Sequence, residues 1–259
     1  MNREIMYNQN SILIAIILFI VILLAYELGF RIGRFFQKKT HEEIKLQTNA
    51  IQGGTLGLLA LLLGFTFNMA LQRFDNRSYA EIKEANTIGT AMLRTKLLPS
   101  PYDSLLYSSF QEYIDLRLEI GGIDLTKSEI RKEINHRTDV VQNRMWNLAI
   151  EAAEIDSRPV TTGYFITSLN EMIDARGERI AILKRHVPEV ILFLLFGIFI
   201  ISSSLMGYSS GLGLKRAYVP TILLTLLIVL VVFIIIDLDR PKRGIVKVKQ
   251  DSMYELKDF

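Results

Sequence analysis

Four stretches without a single charged residue, 5–26, 46–72, 190–214 and 217–236, constrain this chain more than any other feature. Each is long enough to cross a hydrocarbon layer of ~30 Å as an α-helix, which takes about 20 residues. The runs form two pairs near opposite ends of the sequence, separated by a polar stretch too long to be an ordinary connector. The expected fold is therefore an all-α integral membrane protein, with four transmembrane helices as two hairpins and a helical soluble domain inserted between them. The boundaries are 1–72 for the first hairpin, with spans at about 9–30 and 50–72, and 73–187 for the insert. The second hairpin is 188–236, with spans at about 189–208 and 217–236, and a polar tail follows at 237–259.

The insert carries 16 Lys and Arg against 17 Asp and Glu, so the net charge of +3 comes from segments flanking the membrane. A nucleic-acid reader concentrates basic charge on its soluble part, and no nucleic acid is expected as a partner. Without cysteine there is no disulfide frame, thiolate nucleophile or cysteine-ligated metal. The first apolar run lacks a small-residue cleavage pattern before Glu27 and reads as a retained span. The short loops carry seven basic residues: Arg31, Arg34, Lys38, Lys39, Lys45, Lys215 and Arg216. The other side carries thirteen once the membrane ends of the insert are counted, from Arg3, Arg73, Arg77 and Lys83 to Arg176, Arg179, Lys184, Arg185, Arg240, Lys242, Arg243, Lys247 and Lys249. That balance places the insert and both termini in the cytoplasm of a multi-pass cell-membrane protein.

Helix signals fill the insert. Ser100-Pro101-Tyr102-Asp103 starts a helix that should end at Gly121-Gly122. Thr126-Lys127-Ser128-Glu129 is a capping box before Ile130, Ile134, Val141, Met145, Leu148 and Ala152 at helical spacing. After Pro159 a stripe of Phe165, Leu169, Ile173, Ile180, Leu183 and Val187 is expected to run straight into the third span through Pro188.

The second span differs from the other three. Gly53, Gly57, Ala60 and Gly64 give it a small-residue face on which another helix could pack closely. Leu61, Gly64, Phe65, Asn68 and Gln72 make a neighbouring face that changes from apolar to polar, the sequence of a constriction opening into a vestibule. Plain helix packing, with Asn68 bonding a neighbour, explains the same residues. No Asp, Glu, Lys or Arg interrupts any of the four apolar runs, which argues against a proton-coupled pump.

DLDRPKRG at 237–244 reads as an interfacial anchor whose Arg240, Lys242 and Arg243 meet anionic headgroups, rather than a metal site on Asp237 and Asp239. His41, His136 and His186 lack metal-ligand spacing, and no phosphate loop, dinucleotide fingerprint or nucleophile elbow is present. No catalytic residue, metal or cofactor is expected, and an enzyme is the weakest reading.

LLLGFTFNMALQRFDNR (61–77), EANTIGTAMLRTKLLP (84–99) and the DLDRPKRG tail together resemble the bacterial bestrophin-like family, which is remotely similar to the bestrophins. The resemblance covers the chain from the second span to the tail. It implies two membrane hairpins, a cytosolic helical region and a second helix lining a central pore with an apolar neck. By the same analogy the chain assembles as a homo-oligomer, a pentamer in bestrophins, and passes inorganic ions. No run of acids resembles the bestrophin calcium clasp, so calcium gating is not carried over. Within EANTIGTAMLR, Ala85, Gly89 and Ala91 suggest an intersubunit packing seam, and a polar mouth is the alternative. The rival to a channel is a non-conducting sensor or scaffold whose insert binds partner proteins.

Overall fold

The structure is a computed structural model that describes residues 9–124, 126–213, 216, 218–241 and 244–258. Among these residues every regular element is helical, the α-helices being α1 Ser11–Phe36, α2 Glu42–Arg94, α3 Tyr102–Gly122, α4 Ser128–Ile155, α5 Tyr164–Leu183, α6 Glu189–Leu212, α7 Tyr218–Asp239 and α8 Asp251–Glu255. Four of these, α1, α2, α6 and α7, are long and apolar enough to cross a membrane. The chain divides into two compact units, Met1–Gln72 with His186–Arg240, and Arg73–Arg185 with Pro241–Phe259.

In the first unit, called the membrane unit here, α1 makes its most extensive backbone approach to α6 and its next to α7. Glycine explains why α1 and α6 come so close. A Cβ on Gly29 would strike the Ser204 carbonyl and one on Gly33 the Tyr208 carbonyl. From the other side, a Cβ on Gly207 would strike the Tyr26 carbonyl and one on Gly211 the Phe30 carbonyl. Two Gly-x-x-x-Gly pairs therefore face each other, bringing the backbones together where lipid supplies no hydrophobic drive. Ser203 adds an interhelical bond from Oγ to the Ile22 carbonyl at 2.8 Å. Ala15, Leu18, Ile22, Leu59, Leu195, Phe199, Val229, Val232 and Ile236 fill the apolar centre.

The C-terminal motif closes this unit, which corrects the headgroup-anchor expectation for Arg240. Arg240 is 3 % exposed and donates to the Gln9 carbonyl and, at 2.9 Å, to Ser11 Oγ at the start of α1. Both carboxylate oxygens of Asp239 accept from the Val187 backbone N–H at 3.0 Å. Buried ionic groups satisfied by backbone partners are not available to lipid headgroups. Arg3, Lys215, Lys242 and Arg243 lie outside the described residues.

The second unit, called the polar unit, is built on large side chains. Leu106, Phe110, Tyr113, Ile114, Met145, Phe165, Leu169 and Met172 are buried together with Ile88, Ala91 and Met92 of α2. The Phe110 and Phe165 rings meet edge to face at 6.4 Å. The tail belongs to this core as well: Met253 is fully buried, Leu256 packs beside Gly89, and Lys257 pairs with Asp115 at 2.6 Å.

Two local expectations are corrected. The capping box does not form, because Asp124 Oδ1 accepts the Thr126 N–H at 2.9 Å and α4 begins at Ser128. The stripe after Pro159 does not run straight into the third span: α5 stops at Leu183 and α6 starts at Glu189, as a proline at 188 disfavours helical backbone before it.

Candidate functional site

Within each unit α2 keeps one face buried and the opposite face exposed. Thr48, Leu59, Thr66, Ala70, Arg77, Glu84, Ile88, Ala91 and Thr95 are buried and recur on the helical period. The polar members of this row have partners: the Thr66 hydroxyl donates to the Leu62 carbonyl at 2.7 Å, and Arg77 Nη2 donates to the Arg185 carbonyl at 2.9 Å.

The outward face carries every residue singled out for the pore. Leu61 is 55 % and Phe65 60 % exposed, and Gly64, Asn68 and Gln72 are exposed beside them. Gly53, Gly57 and Ala60 are exposed too, and a Cβ on Gly53, Gly57 or Gly64 would meet nothing within 4 Å. Within one chain, then, these small residues pack against no neighbour, while the close packing is done by the α1 and α6 glycines. Gly89 differs: it is buried, and its Cβ position lies 3.1 Å from the Leu256 side chain.

The small residues of EANTIGTAMLR, Ala85, Gly89 and Ala91, are buried within the chain, so the close packing they permit is intrachain. Glu84 is 0 % exposed. It accepts from Arg117 at 2.6 and 3.1 Å and from Arg179 at 2.6 Å. Burial opposes the charge on Arg117, but Glu84 beside it outweighs that and raises the guanidinium's pKa. Burial likewise raises the Tyr113 phenol in the same core. No short window of sequence contains this triad, whose bases lie 33 and 95 residues beyond the acid.

The exposed α2 face has an internal conflict. Leu61 and Phe65 would tolerate lipid, but carboxamides on Asn68 and Gln72 would not, since an amide unpaired in hydrocarbon is costly. The face therefore calls for water or for another protein surface. Four membrane-length helices and this unpartnered amphipathic stripe define the class: an all-helical membrane protein. The Bestrophin-like domain model matches residues 11–253, and the chain belongs to that family. Neither the curated proteins nor the solved structures compared with it give a match.

Proposed function

We propose that the chain is a multi-pass, homo-oligomeric ion channel in which copies of α2 surround the conduction path. The observation that carries this reading is the outward face of α2, where Leu61 and Phe65 precede Asn68 and Gln72 without an intrachain partner. In a ring of subunits the apolar pair forms a neck that blocks ions when it dries, and the two carboxamides hydrate ions beyond it. The small residues Gly53, Gly57 and Ala60 on the flank of that face let neighbouring copies approach. Membership of a bestrophin-like family supports the same reading, and by analogy with bestrophins the assembly is a pentamer. The proposed orientation puts the polar unit and both termini in the cytoplasm, following the thirteen-to-seven excess of basic residues.

Ion flux through the purified protein in liposomes tests this directly. Leu61→Ala should raise leak current and Asn68→Ala should change conductance. Efficient incorporation without flux under voltage or pH steps, in wild type and Leu61→Ala alike, would replace the channel with a non-conducting scaffold whose polar unit captures partners.

A further inference from the structure

In sequence, Arg73, Asp75 and Arg77 stand together at the end of the second span and indicate no charge preference. Folding sorts them. Arg77 is 2 % exposed and donates to the Arg185 carbonyl, and Arg73 falls with Ala70 and Arg77 on the inward side of α2. Asp75 falls on the outward side, where it is exposed and has no hydrogen bond or ion pair among the described residues.

Within the polar unit the outward line of α2 runs at helical spacing through Asp75, Tyr79, Ile82, Asn86, Thr90 and Leu93, all exposed. Asp75 is the one charge on that line. The cations that border it are engaged elsewhere. Lys83 is held by Glu178 of α5 at 2.6 Å. Arg94 donates to the Tyr164 carbonyl at 3.1 Å and lies over the Tyr164 ring. Glu171 of α5, exposed beside Tyr79 and Asn86, adds a second negative charge to the border.

We infer that the conducted species are cations, selected by the Asp75 carboxylates that successive copies of α2 present one turn beyond Gln72. This rests on the channel reading above and supplies the ion class which that reading leaves open. A ring of carboxylates presented by successive copies of α2 focuses negative potential on the ion path, concentrating cations and depleting anions. The local enrichment expected from such focusing is about tenfold or more.

The test uses full-length protein in planar bilayers or liposomes with a tenfold KCl gradient, reading the sign of the reversal potential. Wild type should favour potassium over chloride by about tenfold. Asp75→Asn should bring the ratio towards unity and Asp75→Lys should invert it, whereas Glu133→Gln, an exposed acid on α4, should leave it unchanged. Asp75 has no partner to lose, so both variants should elute and melt like wild type, and this is checked before recording. Current that prefers chloride, or a ratio indifferent to Asp75, overturns the inference and leaves the channel standing. Absence of current from well-incorporated wild type overturns the channel and the inference with it.

Discussion

Each of the two units of this chain is packed internally, and by opposite means. In the membrane unit, close packing depends on the absence of side chains: Gly29, Gly33, Gly207 and Gly211 let two backbones touch. In the polar unit it depends on large ones, with Phe110, Tyr113, Phe165 and Met172 fully buried around a Glu84–Arg117–Arg179 cluster. The difference follows from the solvent. Water drives apolar side chains into a core, whereas between helices in lipid that drive is missing and short-range contact must replace it. Both units bury ionic groups, but the membrane unit keeps its buried Asp239 and Arg240 at the end of α7, beyond the apolar runs. The polar unit buries a carboxylate with two guanidinium partners, while the apolar runs of the membrane unit contain no charged residue at all.

The largest expected effect breaks the polar unit alone. Glu84→Gln removes the negative charge and one of the two acceptor oxygens that serve two buried guanidinium groups, and should cost about 3–5 kcal/mol, the range for stranding one side of a buried ion pair. Thermal unfolding of the detergent-solubilised chain, followed by loss of helical signal, measures it. Glu81→Gln is the matched control: Glu81 is also buried on α2, but its Oε1 has no hydrogen-bond partner, so less should be lost. Equal melting of the two variants would show that the triad holds nothing.

Next comes the membrane unit. Gly207→Ala places a methyl group against the Tyr26 carbonyl and must push α1 from α6, an overpacking cost of about 1–3 kcal/mol. The same substitution at Gly57, where a Cβ meets nothing within 4 Å, should leave monomer stability within about 0.5 kcal/mol. If neighbouring copies pack on that flank, Gly57→Ala should instead weaken the oligomer, which analytical ultracentrifugation or native mass spectrometry in detergent resolves. Destabilisation of the monomer by both substitutions would erase the distinction between the two glycine rows.

Much of this organisation is legible in the residue order, and what is not has a physical reason. Apolar runs mark four membrane-length helices because lipid accepts no interruption. Gly121-Gly122 marks the end of α3. Periodicity likewise finds the outward residues of α2, from Leu61 to Gln72, since a helical face needs only local spacing. Long-range pairing is invisible to such reasoning. Glu84 finds its bases on α3 and α5, and Arg240 finds the start of α1, across 229 residues at Ser11. The α1 and α6 glycines occupy a middle ground: Gly29-x-x-x-Gly33 and Gly207-x-x-x-Gly211 are readable as packing motifs. The small-residue face of α2 is equally readable, but a single chain supplies no neighbour for it.

The smallest effect sharpens the contrast between buried and exposed charge within the polar unit. In the turn between α4 and α5, Asp156 accepts from Arg158 at 2.9 Å through both carboxylate oxygens and from the Thr161 hydroxyl at 2.7 Å. The Arg158 hydrogen bonds, with help from Thr161, hold this carboxyl well below the usual carboxylate range. A folded-state pKa lower than the unfolded one contributes stability at pH values above the unfolded value, about 3.9. That contribution is lost as pH falls through the folded value. Asp156→Asn should therefore melt slightly below wild type at pH 7, with the gap closing only under strongly acidic conditions. Because Arg158 stands in water, solvent screening keeps the gap far smaller than that of Glu84→Gln. A gap that persisted unchanged at low pH would assign the role of Asp156 to turn geometry rather than to its charge, since asparagine would then fail for reasons that protonation does not mimic.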